Sequence, residues 1–83
     1  MAFSANCNRV LKYLQEHSDE YETAQEIGDK LNISMRAVTN AVNRYLKPQS
    51  IAYYQPLDKI DGRDGNAIKL TVKGKNYVIE EQE

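Results

Sequence analysis

The chain has 83 residues, of which 41% are hydrophobic and 28% are charged, and its formal net charge is −1. This composition is typical of one small globular domain over residues 1–83 and argues against a disordered chain. No apolar run approaches the roughly 20 residues that span a bilayer, and the N-terminal segment lacks the apolar stretch of a signal peptide, so we expect a cytoplasmic protein outside the membrane.

The chain offers little of the chemistry that catalysis or metal binding requires. The single cysteine, Cys7, and the single histidine, His17, cannot assemble an intrachain disulfide or the usual zinc site. We expect Cys7 to be buried, with a redox or intermolecular thiol as the alternative, and His17 to be an ordinary helix-end residue. The acids Asp19, Glu20 and Glu22 are expected in a solvated loop without buried neighbours that shift their pKa values. We therefore expect no enzyme, cofactor, metal ion or small-molecule substrate.

A first helix is predicted from its N-cap, Ser4, to about His17. The apolar residues of one helical face recur at spacings of three and four: Val10, Leu11 and Leu14. The loop that follows is expected to contain a short strand at Tyr21 and Glu22.

A second helix is predicted over about Ala24 to Leu31. Its start is marked by Thr23 and Glu26, which have the spacing of a capping box. In the short turn that follows, Asn32 tolerates the left-handed conformation that ends a helix, and Ser34 can cap the next helix. The sequence therefore predicts two helices joined by a tight turn.

A third helix is predicted over about Met35 to Leu46, with two different faces. The apolar face is expected to pack in the core and comprises Ala37, Val38, Ala41, Val42 and Tyr45. The polar face carries no acidic residue and comprises Arg36, Thr39, Asn40, Asn43 and Lys47. These side chains can hydrogen-bond to guanine, adenine or phosphate, and Thr39 can contact a thymine methyl group, which favours a DNA-reading surface over an incidental polar face.

A β-hairpin is predicted after this helix. Residues 51–57 and 67–70 contain branched and aromatic side chains in alternation, which is typical of strands. They are separated by a polar loop, residues 58–66, that carries Lys59 and Arg63 and is expected to have a basic tip. The hairpin therefore provides a second surface for a negatively charged partner.

The last segment is expected to form a closing helix. Thr71 can cap a helix over residues 72–83, although Gly74 weakens that prediction. Continuation of the second strand through Lys73 is the alternative.

Charge is distributed unevenly along the chain. Residues 1–33 carry a net charge of −3, residues 34–75 carry +5 and residues 76–83 carry −3. The basic middle contains the third helix and the hairpin, which favours a negatively charged partner, with ordinary solvated Lys and Arg side chains as the alternative. Because the whole chain has no excess positive charge, a protein that coats DNA without sequence preference is disfavoured.

The order of helix, short strand, helix, tight turn, helix and β-hairpin resembles the winged helix-turn-helix DNA-binding family, particularly small bacterial, archaeal and phage transcription regulators. The resemblance covers roughly Val10 to Ile79 and rests on VLKYLQEH, TAQEIGDKLNISMRAVTNAVNRYL and IKLTVKGKNYV. The last piece is similar to the LT-x-K-G run that opens the final helix of many such regulators. Two departures are Gly28, where these proteins often have Ala, and KPQSIAYY in place of the more usual link into the wing.

The resemblance implies a mostly α fold with a small β-hairpin wing (α+β), in which a three-helix core is followed by the wing and a C-terminal helix. It implies that the third helix enters the major groove of double-stranded DNA while the wing tracks the backbone. The implied base contacts are Arg36, Thr39, Asn40 and Asn43. The implied phosphate contacts are Ser34, Arg44, Lys47, Lys59 and Arg63.

The partner expectations follow from this resemblance. One winged domain reads only a few base pairs, so we expect a homodimer on two half-sites. The first and last helices and the tyrosine-rich elements are candidate dimer surfaces, but Tyr13, Tyr53 and Tyr54 are equally well explained as packing residues. The alternative function is protein–protein contact within a larger assembly, through the acidic region of the first two helices.

Overall fold

The structure is a computed structural model that describes residues 4–79. Its helices are α1 (Ala5–Glu16), α2 (Ala24–Leu31), α3 (Met35–Ala41), which continues as a π-helix (Val42–Leu46), and the single-turn α4 (Val72–Lys75). The strands β1 (Ala52–Pro56) and β2 (Asn66–Leu70) pair antiparallel, with Ala52 opposite Leu70. A short 3-10 turn (Leu57–Lys59) follows β1. The predicted order of helices and hairpin is confirmed.

Side-chain caps fix where the first three helices begin. Ser4 and Ser34 each accept a hydrogen bond from the backbone N–H three residues further on. Thr23 and Glu26 form the complete capping box, in which each side chain accepts from the other residue's backbone N–H. Asn32 ends α2 in the left-handed conformation, with φ of 59°. These local signals confirm the predicted boundaries, because each cap satisfies backbone groups that the helix leaves unpaired.

The core lies between the first three helices and the inner side of the hairpin. Its largest fully buried side chains are Leu11, Ile27, Leu46, Ile51, Leu57, Ile68, Val10, Val38 and Val42. Burial of one such side chain stabilises the fold by roughly 1.5–3 kcal/mol relative to exposure. Cys7 is also completely buried, and burial raises the pKa of its thiol to about 12. Cys7 is therefore a small apolar core residue, as expected, and its thiol stays protonated.

The second half of the third helix differs from the predicted α-helix. The N–H of Lys47 donates to the carbonyl of Val42 at 2.7 Å, and the N–H of Ile51 donates to that of Leu46 at 2.9 Å, so both bonds span five residues. A π turn contains more residues than an α turn, and side chains beyond it are rotated from their α-helical positions. The sequence prediction did not include Leu46 in the apolar face, but Leu46 is fully buried, whereas Tyr45 is half-buried.

The loop between α1 and α2 contains no strand among the described residues. One backbone hydrogen bond, from the N–H of Ile68 to the carbonyl of Glu22 at 3.0 Å, joins this loop to β2. The Glu22 side chain is buried, and it accepts from the Tyr13 hydroxyl at 2.5 Å and from Lys30 Nζ at 3.1 Å. The expectation that Glu22 is solvated is wrong, because its partners come from the neighbouring helices.

Those contacts determine the charge state of Glu22. Burial is the largest single influence and raises the pKa of its carboxyl, but the hydrogen bonds from Tyr13 and Lys30 outweigh burial and leave the pKa below its ordinary value. The hydrogen bond with Glu22 raises the pKa of Lys30. Burial, with a smaller contribution from the hydrogen bond with Glu22, raises the pKa of Tyr13 to about 12. Glu22 is therefore an ionised, buried link between α1 and α2.

The closing helix is much shorter than predicted. The Thr71 hydroxyl caps it by accepting from the N–H of Gly74 at 3.1 Å, but α4 contains only one turn and residues 76–79 are not helical. The remainder of the predicted helix, residues 80–83, lies outside the described residues. Continuation of the strand through Lys73 is also wrong, because Lys73 lies within α4.

Gly74 and Gln15 hold this last segment against the rest of the domain. A Cβ at Gly74 would overlap the carbonyl oxygen of Ile51, so the close contact between α4 and the residue preceding β1 requires glycine. Gln15 Nε2 on α1 donates to the carbonyls of Gly74 at 3.0 Å and Tyr77 at 2.8 Å. The final turn is thereby fastened to the first helix.

Candidate nucleic-acid interface

The turn between α2 and α3 depends on close backbone packing at Gly28. A Cβ at this position would lie 2.7 Å from the carbonyl oxygen of Ile33, well inside normal contact distance. The absence of a side chain at Gly28 therefore leaves room for the backbone of the turn, and a larger residue would force the turn away from α2. Since Ser34 caps α3 immediately afterwards, Gly28 also sets the position at which α3 begins.

The predicted site residues on α3 lie on its solvent-exposed side, here called the α3 face. It comprises Ser34, Arg36, Thr39, Asn40, Asn43, Arg44 and Lys47, all exposed except the half-buried Thr39. No acidic residue occurs between residues 33 and 57. Within residues 4–79, Arg36, Asn40 and Arg44 form no hydrogen bond or ion pair, so these side chains are free to contact a ligand.

Tyr54 of β1 contacts two members of the α3 face. Its hydroxyl donates to Asn43 Oδ1 at 2.9 Å, and Lys47 Nζ lies 5.4 Å from the centre of its ring. The ring is half-buried and packs against the core, and burial raises the pKa of its hydroxyl although the contact with Asn43 acts in the opposite direction. Tyr54 therefore remains a protonated donor.

Sequence reasoning missed this role for Tyr54. The prediction treated Tyr54 as wing packing or part of a dimer surface. The contact with Asn43 crosses from β1 to α3, and no local pattern in the sequence connects the two residues. Lys47 directly follows the π turn, which the predicted helix did not include.

An open hollow of about 410 Å³ separates the start of α3 from the hairpin. Its lining includes Thr23 and Gln25 of the α2 start, Met35 and Thr39 of α3, and Tyr54. Met35 is 56% exposed at this edge. The hollow thus places the α2 start, the α3 face and the hairpin around one concave surface.

The hairpin loop differs in charge from the predicted basic tip. Residues 58–66 contain the two cations Lys59 and Arg63, but also the three acids Asp58, Asp61 and Asp64, which together give the loop a net charge of −1. The prediction of a basic tip is wrong, because it considered the two cations without the acids interspersed among them. The positive charge of the middle of the chain therefore lies elsewhere.

Arg63 is occupied by partners within the protein. Its Nε lies 2.8 Å from Asp61 Oδ2, its Nη2 donates to the Tyr21 carbonyl at 3.2 Å, and its Nη1 lies 3.7 Å from Glu26 Oε1. These contacts join the loop to the α1–α2 segment and to the start of α2. Lys59, by contrast, is exposed and forms no hydrogen bond or ion pair in the described part of the chain.

Two further cations serve the fold. The buried Lys69 donates from Nζ to the carbonyls of Ser18 at 2.5 Å and Glu20 at 2.8 Å, and Nζ lies 4.3 Å from the centre of the Tyr21 ring. Burial, with a smaller contribution from nearby Lys75, lowers the pKa of Lys69. Lys73 Nζ donates to the Gln49 carbonyl at 2.8 Å. Within residues 4–79, Lys69 and Lys73 are thus engaged by backbone carbonyls, whereas Arg36 and Arg44 of the α3 face are not.

Neither a metal cluster nor a membrane span occurs in residues 4–79. No group of three or more His, Cys, Asp or Glu side chains there is placed to hold a metal ion. The helices of the same residues fall short of the length and apolar character that a membrane crossing needs.

Comparison with known proteins identifies the fold. The structure is similar to that of MepR, a transcription regulator of the Staphylococcus aureus multidrug efflux pump MepA, with a TM-score of 0.72 and 23% sequence identity. The match covers 88% of this chain and 50% of the MepR chain, so this chain spans about half the length of that protein. No family model matches the sequence, and no curated protein is significantly similar to it. The chain therefore has the winged helix-turn-helix fold, in which β1 and β2 form the wing.

Proposed function

We propose that this chain binds double-stranded DNA and acts as a small, sequence-specific transcription regulator in the cytoplasm. The observation that carries the proposal is the α3 face, which is exposed, free of acids and rich in side chains that bond to bases or phosphates. The fold, shared with a transcription regulator, supports it further. An ordinary solvent-exposed helix face carries both acidic and basic side chains, whereas the α3 face carries no acidic side chain.

In this proposal α3 and its π extension enter the major groove, which is about 12 Å wide and admits a helix. Base edges are contacted by Arg36, Thr39, Asn40 and Asn43. Phosphates are contacted by Ser34, Arg44, Lys47, Lys59 and Arg63. Because the guanidinium of Arg63 already has three partners in the protein, Lys59 is the main phosphate contact of the wing, and Arg63 holds the wing beside the backbone.

The charge balance indicates a site-specific binder. Proteins that coat DNA without sequence preference depend on excess positive charge, whereas this chain has a net charge of −1. Since one winged domain reads few base pairs, we propose that two copies bind two half-sites as a homodimer.

Selection of bound sequences from a random duplex pool tests the proposal directly. A palindromic enriched sequence would show specificity and dimerisation together, and its half-site spacing would report the dimer geometry. If random duplex at low salt is not retarded in a gel even at tens of micromolar protein, the alternative function is favoured over DNA binding. The domain would then be assigned to protein–protein contact within a larger assembly.

Arg36 should contribute mainly to sequence recognition. Arg36→Ala is expected to weaken binding to the selected site by about 1–3 kcal/mol and to change random duplex binding much less, because a base contact is made only in the correct sequence. Fluorescence anisotropy with the two duplexes measures both affinities. Lys12→Ala removes an exposed cation from α1 as the matched control. Equal losses on both duplexes for Arg36→Ala would make Arg36 a phosphate contact instead.

A further inference from the structure

We propose that Tyr54 is a positioning residue that makes Asn43 select guanine rather than adenine. This inference rests on the proposed DNA-binding function and adds a specific base preference at one position of the site. It concerns a residue of β1 that is outside the predicted set of DNA contacts.

The first step is the state of the Asn43 side chain. Asn43 is exposed on the α3 face, but its Oδ1 accepts from the Tyr54 hydroxyl at 2.9 Å. An asparagine amide has an oxygen with two lone pairs and an NH2 group with two donors. Because Tyr54 takes one lone pair of Oδ1, the two Nδ2 hydrogens are the larger part of the hydrogen-bonding capacity that Asn43 keeps for a ligand.

The second step is the chemistry of the bases. In the major groove, adenine offers a donor and an acceptor, and an asparagine reads it by using both ends of its amide. Guanine offers two acceptors, N7 and O6. An amide whose oxygen already accepts from Tyr54 but whose N–H donors are free favours guanine over adenine, whereas Asn40, whose amide has no partner within residues 4–79, keeps both ends of its amide for adenine.

The third step is what holds Tyr54 in place. The Tyr54 ring is half-buried and packs against the core, and Tyr54 lies opposite Ile68 of β2 in the hairpin. Lys47 directly follows the π-helix, and its Nζ lies 5.4 Å from the ring centre. A cation over an aromatic face is attracted to it, and its positive charge favours hydrogen-bond donation by the phenol. The hydroxyl is therefore directed at Asn43 before any DNA binds.

The experiment compares selection from a random duplex pool by four proteins: the unaltered chain, Asn43→Ala, Tyr54→Phe and Tyr53→Phe. Asn43→Ala identifies the base pair that Asn43 contacts, since preference is lost there alone. At this base pair the unaltered chain should prefer guanine. Tyr54→Phe frees Oδ1, so the ratio of guanine to adenine affinity should change by about tenfold in favour of adenine. Tyr53→Phe, which removes a hydroxyl from the neighbouring exposed tyrosine, should change nothing.

Asn43→Asp provides a second test that leaves Tyr54 intact. Aspartate still accepts from the Tyr54 hydroxyl but has no N–H to donate, so the preference should move from guanine to cytosine, whose amino group is a donor. Affinity for random duplex at low salt should be the same for Tyr54→Phe and the unaltered chain, which shows that the α3 face is intact.

The outcomes separate the two proposals. If the unaltered chain enriches no sequence, the proposed function and this inference both fail. If it enriches a site but Asn43→Ala changes no base preference, or Tyr54→Phe leaves the preference at that base pair unchanged, the inference is overturned while the proposed function stands. A shift to adenine in Tyr54→Phe together with no shift in Tyr53→Phe supports it.

Discussion

Gly74 allows α4 to contact the backbone just before β1. Because a Cβ there would overlap the Ile51 carbonyl, we expect Gly74→Ala to destabilise the domain by about 1–3 kcal/mol, the usual cost of forcing atoms into a packed site. Helix propensity alone favours alanine by about 1 kcal/mol, so the two effects have opposite signs. Urea denaturation measures the free energy of unfolding.

Lys75→Ala is the control for that substitution, since Lys75 is exposed in the same turn. It should change stability by less than about 0.5 kcal/mol, as is usual at exposed positions. A Gly74→Ala protein as stable as the unaltered chain would show that the contact with Ile51 relaxes freely.

Glu22 should make stability depend on pH. Its folded-state pKa is lowered from the usual value of 4.5, so its ionised form contributes stability that is present above that value and is lost as the pH falls through the folded pKa. Glu22→Gln keeps hydrogen-bonding capacity but removes the charge. We expect this variant to be less stable at pH 7 by about 1 kcal/mol and the difference to disappear in acid.

Urea denaturation of both proteins between about pH 7 and pH 3 measures this difference. Glu16→Gln controls for the loss of a negative charge, because Glu16 is an exposed acid at the end of α1. A gap between Glu22→Gln and the unaltered chain that stays constant over the whole range would show that Glu22 is not ionised in the folded protein.

At the scale of elements, the wing is held by Arg63. Its three partners are exposed or partly exposed, and such ion pairs contribute only about 0–1 kcal/mol each. We therefore expect Arg63→Ala to leave the global free energy of unfolding nearly unchanged but to speed local opening of the loop. Hydrogen exchange at Gly62, whose N–H donates to the Leu57 carbonyl at 3.2 Å, should become faster.

Lys59→Ala, in the same loop but without a partner among residues 4–79, should leave that exchange rate unchanged. Unaltered exchange at Gly62 in Arg63→Ala would mean that the 3-10 turn and β pairing alone hold the wing.

The elements that sequence patterns predicted well are those with local causes. The capping box at Thr23 and the left-handed Asn32 act within a few residues, so the boundaries of α1 and α2 and the start of α3 could be recognised directly. The failures have distant causes. The burial of Glu22 and the contact of Tyr54 with Asn43 depend on side chains from other elements, which no local pattern reveals.

The candidate site divides in the same way. The α3 face follows from helical periodicity, and its exposed residues lie where the pattern placed them. The π turn before Lys47 and the internal pairing of Arg63 were not predicted, and the pairing of Arg63 changes the role of the wing. Sequence therefore identified which residues belong to the surface better than it identified what each one contacts.

For the whole molecule, a net charge of −1 coexists with a positive face. If Arg44, Lys47 and Lys59 neutralise about three phosphates per subunit, the logarithm of affinity should fall with the logarithm of salt concentration with a slope of about −3. This slope is measured by fluorescence anisotropy titrations at salt concentrations from about 50 to about 200 mM. Affinity that does not change with salt would exclude the proposed phosphate contacts.

The two hydrogen bonds from Gln15 to the last turn have a consequence for how the domain folds during synthesis. Their acceptors, the carbonyls of Gly74 and Tyr77, follow Gln15 by 59 and 62 residues, and Lys69 binds carbonyls about 50 residues before it. On the ribosome, α1 can pack against α2 and α3 once they have emerged, but the acceptors of Gln15 emerge later, and contacts between distant residues form slowly. The hydrogen bonds from Gln15 therefore form only after α4 has been synthesised.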